Sequence, residues 1–156
     1  MNELKTPLRT TRAYERDFYA WTAEQAGALR RVKPDHVDWE NLAEEVESLG
    51  RSDKRAIGSD LKIVLEHLIK WKFQPEKRSD SWSDSIEEHR DRIARIIEDS
   101  PSLAATPGEV LAREYRKARR KALRDTKLAP ARIPAACPFK VEEVLDPEYL
   151  PDSEQR

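Results

Sequence analysis

Prolines divide this chain into intervals, and the intervals between them have the periodicity of α-helices. The ten prolines stand at positions 7, 34, 75, 101, 107, 130, 134, 138, 147 and 151. Proline lacks an amide hydrogen and clashes with the preceding turn of a helix, so each one marks the edge of an element. Between them, apolar residues recur every three or four positions, and no segment alternates as a half-buried strand does. The sequence therefore predicts an all-α fold, a single-domain bundle of about five helices.

The first predicted helix covers residues 13–32. Thr11 is its expected N-cap, and Pro34 ends the segment. One face of this helix contains three aromatic rings, which we expect in the core. The residues of that face are Tyr14, Phe18, Trp21, Gln25, Leu29 and Val32.

The interval 35–74 contains no proline and supplies the central helix of the predicted fold. Asp38 is the expected N-cap, and Gly50 predicts either a C-cap or a kink. Residues 52–73 have an apolar arc wider than one stripe, which is typical of a helix covered on more than one side. The positions expected to be buried are Leu42, Val46 and Leu49 before the glycine, and Ile57, Leu61, Val64, Leu65, Leu68 and Trp71 after it.

Two more helices are predicted in the second half of the chain. Ser83 or Ser85 is the expected N-cap of a helix that ends before Pro101. Thr106 and Pro107 then predict a helix start, with threonine as the N-cap and proline in the first turn. This last long helix is expected to continue to about residue 127.

The C-terminal segment is rich in proline but retains apolar residues. We expect it to pack on the bundle, with one helical turn at 140–145. The predicted domain is 13–150, and residues 1–12 and 151–156 are expected to be flexible ends.

Composition excludes several classes of protein. The 156 residues include 29 Lys and Arg against 30 Asp and Glu, a net charge of −1, so no bulk field attracts the chain to a polyanion. The single cysteine excludes an internal disulfide or a thiolate zinc site. Apolar runs such as 63–65 are far shorter than the roughly 20 residues of a membrane helix. Without a signal-like start, we expect a cytoplasmic protein without membrane contact.

Charge is segregated although the total balances. Residues 38–47 contain five acids and no base, whereas 113–127 contain eight bases and two acids. A basic helix can bind an acidic partner or nucleic acid. The simpler interpretation, which we favour, is a solvated face or one that pairs with the acidic helix, because no aromatic residue interleaves with the bases. The candidate partner-binding residues are Arg113, Lys117, Arg120 and Arg124.

Enzymatic chemistry has one set of candidates. His67 lies at the edge of the apolar arc, where an imidazole can act as acid, base or ligand, although a hydrogen-bonded core-edge histidine is the simpler interpretation. The residues that would act with it in a hydrolase are Glu45, Glu44 and Asn41. Di-iron bundles use Glu-x-x-His, but Val64 precedes His67 by three positions. We predict no metal and no cofactor, and known catalytic templates are absent.

Several strings of the sequence resemble one bacterial family. These strings are Tyr14 to Thr22, Glu40 to Ser52, His67 to Trp71, Gln74 to Glu76, Glu98 to Leu103 and Cys137 to Phe139. They are similar to the family called domain of unknown function twenty-nine. The resemblance implies a single all-helical domain in bacteria and brings no activity, cofactor or catalytic residue. His89 stands where the family pattern has glutamine.

The sequence favours a non-enzymatic interaction or regulatory module that binds an unknown protein partner. The alternatives are a hydrolase or metal-binding bundle that uses Glu45 and His67, and nucleic-acid binding through helix 113–127. A homo-oligomer is compatible with each of them.

Overall fold

The computed structural model of this chain describes residues 9–31 and 38–152. Those residues form six α-helices and contain no strand, which confirms the predicted all-α fold. The predictions for 1–8, Val32, Pro34 and 153–156 lie outside the described residues. The helices are α1 Arg9–Arg16, α2 Phe18–Arg31, α3 Trp39–Phe73, α4 Asp80–Asp99, α5 Thr106–Thr126 and α6 Val141–Leu145.

Prolines begin the short connections between the long helices. The three 3₁₀ turns are Pro75–Lys77, Pro101–Leu103 and Pro130–Arg132. In each turn proline occupies the first position, where its missing amide hydrogen costs no helical bond. The proline pattern therefore predicts the edges of these elements correctly.

The described residues form two compact units. The first unit contains 9–31, 38–54 and 96–104, and the second contains 55–95 and 105–152. Helices α3 and α4 contribute residues to both units.

In the first unit, the predicted helix 13–32 is divided at Asp17. Helix α1 begins at Arg9, so Thr11 lies within it and the predicted N-cap is wrong. Asp17 is the cap of α2, since its Oδ1 accepts a hydrogen bond of 2.8 Å from the backbone N of Ala20. The same carboxylate accepts hydrogen bonds from the backbone N of Ser102 at 2.6 Å and from its Oγ at 2.8 Å. Burial opposes ionisation, but these hydrogen bonds lower the pKa of Asp17 overall.

The aromatic face of α1 and α2 is less buried than expected. Tyr14 is 50% exposed, and Phe18 and Trp21 are half-buried. The rings pack on one another, with centroids 4.9 Å apart for Tyr14 and Trp21. The fully covered positions of α2 are the smaller Thr22 and Ala26. The predicted burial of all three rings in the core is therefore wrong.

Gly50 does not end α3, which continues through it to Phe73, so it is not the predicted C-cap. It lies against α2, so closely that a Cβ atom there would be 2.4 Å from Oγ1 of Thr22. This approach turns Ala43 and Gly50 inward and leaves Leu42 and Leu49 on the outside, 42% and 52% exposed. The predicted buried stripe of this segment is wrong, whereas Asp38 caps the helix as expected.

The second unit contains the predicted central helix and its core. Its half of α3 buries the apolar arc as expected, except that Trp71 is half-buried. Side chains from α4, α5 and the tail cover this arc. The fully buried large side chains of the unit are Ile57, Leu61, Val64, Leu65, Leu68, Ile69, Ile86, Ile93, Tyr115, Ile133 and Val144.

Helices α4 and α5 begin earlier than their predicted caps. Helix α4 starts at Asp80, so Ser83 and Ser85 lie within it, and the hydroxyl of Ser83 donates to the carbonyl of Asp80 at 2.9 Å. Ala105, without a side-chain bond, is the N-cap of α5, and Thr106 is already helical. Where several capping residues lie within a few positions of one another, each of them fits as the N-cap. The pattern then does not determine the first residue of the helix.

The proline-rich tail packs on its unit as predicted, and one arginine holds it. Arg90 is 5% exposed, and its guanidinium group makes the contacts. It donates to the carbonyl oxygens of Val144 at 2.8 Å, Tyr149 at 2.9 Å and Glu143 at 3.2 Å. One side chain of α4 therefore satisfies several backbone groups that α6 and the following turn leave without helical partners.

Candidate functional site

Helix α5 and the tail enclose a surface cavity of about 350 Å³ in the second unit. We call it the arginine cavity, because its described lining consists of Arg116, Arg119, Arg120 and Ala135. Three arginines and no described carboxylate residue line it, and arginine is the side chain that best matches carboxylate or phosphate groups.

Other bases of α5 are neutralised by acids of the same helix. Arg113 Nε lies 2.7 Å and Lys117 Nζ 3.1 Å from Oε1 of Glu114. Lys121 Nζ lies 2.6 Å from Oδ2 of Asp125. Two of the predicted partner-binding residues, Arg113 and Lys117, are thus already paired.

The cavity residues differ from those paired bases. Arg119 is fixed, because it donates to the carbonyl of Ile133 at 2.9 Å and to that of Pro130 at 2.7 Å. Arg116, Arg120 and Arg124 are exposed and form no ion pair within 9–31 or 38–152. Of the four predicted residues, Arg120 lines the cavity and Arg124 remains exposed beyond it. The prediction missed Arg116, although its helical spacing to Arg120 could have found it.

Two buried anchors hold this face in place. The hydroxyl of Tyr115 donates to the carbonyl of Pro134 at 2.7 Å, which fixes the tail segment beside α5. Burial raises the pKa of Tyr115 to about 12, so the phenol remains a donor at neutral pH. Lys70 of α3 joins Glu66 and Asp125 at 2.8 Å each. Lys121 and Lys70 together hold the pKa of Asp125 well below its ordinary value.

The acidic segment of the first unit has its own basic partners. Arg30 of α2 lies 3.1 Å from Glu40 and 2.9 Å from Glu47. Glu44, a predicted hydrolase residue, lies 2.8 Å from Arg51. The ion pairs of Arg30 with Glu40 and Glu47 join α2 to the start of α3.

The predicted hydrolase residues have separate surroundings. Asn41 donates to Oδ2 of Asp38 at 2.6 Å as part of the helix cap, and Glu45 is exposed without an ion pair to any described residue. His67 belongs to the second unit, where Nδ1 donates to the carbonyl of Ile63 at 2.9 Å. Burial lowers the pKa of His67, which keeps the ring neutral at neutral pH.

The structure shows a different histidine–carboxylate pair. Nδ1 of His89 on α4 lies 2.6 Å from Oδ1 of Asp60 on α3, and both side chains are 12% exposed. Because an ionised carboxylate only accepts, the ring donates through Nδ1. Sequence patterns single out neither residue, since His89 only departs from the family's glutamine and Asp60 belongs to no motif.

Two further features, a metal-ligand group and a membrane-spanning helix, are absent from residues 9–31 and 38–152. These residues contain no group of three or more His, Cys, Asp or Glu side chains able to hold a metal ion. None of the helices formed by those residues has the length and apolar character to cross a membrane.

Fold and site together define an all-helical protein with unequal charge in its two units. Assigning the charged residues of the sequence to the units gives −4 for the first and +3 for the second, which make up the −1 of the whole chain. The family model for the domain of unknown function DUF29 matches residues 13–150, and the chain belongs to that family.

A solved structure has the same fold. It is the crystal structure of an alpha-helical protein of unknown function from Rhodospirillum rubrum ATCC 11170. The two sequences are 25% identical over 87% of this chain and 90% of that chain, with a TM-score of 0.71. None of the curated proteins matches this chain.

Proposed function

We propose that this protein is a non-enzymatic interaction module that binds an acidic segment of a partner protein through the arginine cavity. The observation that carries the proposal is the pairing pattern of α5. Acids neutralise the bases beside Glu114 and Asp125, whereas Arg116 and Arg120 converge on a cavity without a described carboxylate. Arg119, fixed by two carbonyls, gives the cavity one preoriented guanidinium.

A protein partner fits this surface better than a nucleic acid does. No aromatic ring lines the cavity to stack on a base. The unpaired bases of α5, namely Arg116, Arg120 and Arg124, would neutralise about three phosphates, against the 6–10 contacts typical of strong duplex binding. We also place the protein in the bacterial cytoplasm, where the half-buried thiol of Cys137 would remain reduced.

Fluorescence anisotropy with defined probes tests this proposal. We expect a labelled glutamate-rich peptide to bind the wild-type protein in moderate salt, more tightly than a single-stranded oligonucleotide of equal charge. The double substitution Arg116→Ala and Arg120→Ala should weaken peptide binding by about tenfold or more, since each lost charge-assisted hydrogen bond contributes roughly 1.5–3 kcal/mol.

A matched control separates the cavity from general charge. Arg95→Ala combined with Arg55→Ala removes two positive charges from exposed positions of α4 and α3. This control should bind the peptide like the wild type. An equal loss of peptide affinity in the two double variants would contradict the proposal. So would a wild-type protein that binds the oligonucleotide more tightly than the peptide.

The pair of His89 and Asp60 favours a hydrolase as the second candidate function. Nε2 of His89 has no hydrogen-bond partner among the described residues, and no buried side-chain nitrogen or oxygen there lacks one. Nε2 therefore faces solvent, with Asp60 holding the tautomer that makes it a base. This candidate replaces the predicted pair of His67 and Glu45 by His89 and Asp60, and a phosphate ester is its proposed substrate.

Hydrolysis of bis(p-nitrophenyl) phosphate tests this second candidate. Activity should fall by about 100-fold in His89→Gln, because general-base catalysis contributes 10²–10⁴. Asp84→Asn, an exposed change on the same helix, is the control. Background rates in wild type and His89→Gln alike would remove this candidate.

A further inference from the structure

A second cavity, of about 290 Å³, lies in the first unit and has the opposite chemistry. Its described lining combines two aromatic rings, Tyr14 and Phe18, with three carboxylates, Glu15, Asp53 and Asp99. We call it the aromatic–acidic cavity. Helices α1, α2, α3 and α4 each contribute at least one of these residues.

The rings form a fixed wall. Tyr14 meets Phe18 edge to face at 5.7 Å, and Phe18 stacks on Trp21 at an interplanar angle of 22°. Tyr14 nevertheless remains 50% exposed. A ring held by its neighbours and open on one side offers the negative face of its quadrupole to a cation.

The carboxylates of this cavity have no counter-charge. Glu15, Asp53 and Asp99 form no ion pair or side-chain hydrogen bond with any residue in 9–31 or 38–152. Elsewhere in this unit some acids have basic partners, as Glu47 has Arg30 and Arg51. Burial, and then the charge of Asp99, raises the pKa of Asp53, so the two carboxylates are close enough to repel each other. A positive ligand would remove that repulsion.

The size and lining select an organic cation over a metal ion. No set of three or more carboxylates or other ligands within the described residues is arranged to hold a metal. The cavity volume is near the lower end of the range for small-molecule pockets, about 300–1,000 Å³. Aromatic walls are ligands for alkylammonium groups and do not serve Mg²⁺ or Ca²⁺, which require oxygen shells.

We propose that the aromatic–acidic cavity binds an alkylammonium group, with the rings of Tyr14 and Phe18 against its methylene groups and Asp53 and Asp99 facing its charge. The group can belong to a free diamine or to a lysine side chain of a partner. The site is independent of the arginine cavity, which lies in the other unit.

Isothermal titration calorimetry of the full chain tests the proposal with three probes: butane-1,4-diamine, N-acetyl-lysine methylamide and MgCl₂, at constant ionic strength. We expect a diamine or lysine amide to bind and Mg²⁺ not to bind. Binding of the diamine alone assigns a free amine as the ligand, and binding of the lysine amide assigns a side chain. Either result supports an alkylammonium site.

Substitutions then test the two halves of the cavity. Asp53→Asn with Asp99→Asn should weaken binding by about tenfold or more, and Tyr14→Ser should weaken it several-fold, because each removes one part of the recognition. The charge-matched control, Asp84→Asn with Asp91→Asn on α4, should bind like the wild type. Circular dichroism checks that each variant is folded, and Tyr14→Ser changes a half-exposed side chain.

Three results would overturn the proposal. They are no heat with either amine at millimolar concentration, binding of Mg²⁺ as tight as that of the amines, and amine binding unchanged by both the Asp53/Asp99 pair and Tyr14→Ser. The last two would leave only a diffuse acidic surface.

Discussion

At the scale of single residues, Gly50 is a position where the fold leaves no room for a side chain. It sits in mid-helix, where glycine costs roughly 1 kcal/mol relative to alanine, so a packing reason must offset this cost. That reason is the contact with α2, where Tyr19 and Thr22 occupy the space of a side chain.

Gly50→Ala should lower the free energy of unfolding by about 1–3 kcal/mol, because the added methyl group forces α2 and α3 apart. Urea denaturation followed by circular dichroism measures this. Gly58→Ala is the matched control in the same helix. Its Cβ would make ordinary contacts, 3.5 Å from Glu114, so the change should be neutral or stabilise by up to about 1 kcal/mol. An equal decrease in the free energy of unfolding for Gly50→Ala and Gly58→Ala would refute the packing argument.

Asp53 gives a prediction about pH. Its pKa is raised in the folded protein, first by burial and then by Asp99, so the ionised form destabilises the fold. This destabilisation develops as the pH rises above the ordinary value of 3.8. Asp53→Asn should therefore raise the melting temperature at pH 7 by a few degrees at most.

Below that ordinary pKa the carboxyl group is protonated in both states, so the gain from Asp53→Asn should disappear near pH 3. Thermal unfolding at the two pH values measures the difference. A variant less stable than wild type at pH 7 would show that Asp53 has a stabilising partner. The charge of Asp53 that destabilises the fold is the same charge that the proposed site offers to a cation. Binding sites often sacrifice stability in this way.

At the scale of elements, the C-terminal segment depends on α4 more than on its own helical propensity. Helix α6 is only five residues long, and helices of this length are not stable alone. Its support is the burial of Val144 and Phe139 together with the hydrogen bonds from Arg90.

Arg90→Met should destabilise the protein by about 3–5 kcal/mol, because the substitution leaves several buried carbonyl oxygens without donors. The amide hydrogen exchange rate of residues 141–149 should increase more than that of the other described residues. Arg92→Met, on the same helix but 52% exposed in its side chain, should change stability by less than about 1 kcal/mol. Unchanged exchange in 141–149 would mean that Val144 and Phe139 suffice to hold the segment.

How far the sequence predicts these elements depends on what determines each one. The half of α3 after Gly50 is correctly predicted, because its apolar arc is long and periodic. The half before it fails, because Gly50 lets α2 approach and thereby selects the face of Ala43 over that of Leu42. A close contact between helices outweighs hydrophobic spacing there, and spacing alone does not reveal it.

The candidate sites are less predictable than the helices. The sequence identifies the basic face of α5 and names Arg120, but the cavity also needs Arg119 to be fixed by the tail, a contact between segments far apart in the chain. Asp17 looks like an ordinary polar residue within an aromatic stripe, whereas its carboxylate caps α2 at Ala20 and also binds Ser102, far along the chain. Tertiary contacts of this kind leave no periodic pattern.

At the scale of the whole molecule, the two units carry net charges of opposite sign, and each has a cavity of matching sign. The near-neutral total conceals this division. The two cavities are therefore proposed to bind groups of opposite charge, one in each unit.

The unit division also predicts how destabilisation is distributed. Each unit has its own buried side chains and ion pairs, so Gly50→Ala should increase amide exchange in residues 18–31 and 39–50 more than in residues 61–73. Hydrogen exchange with mass spectrometry measures this by peptide. An equal increase throughout the chain would show that the units unfold as one cooperative body.

The hydrogen bonds of Arg90 have a consequence for synthesis on the ribosome. Its acceptors lie more than fifty positions later in the chain, at 143–149. While those residues are still inside the exit tunnel, the guanidinium of Arg90, which is buried in the folded protein, can form hydrogen bonds only with water or a chaperone. The second unit therefore cannot close until residues 143–149 have left the tunnel.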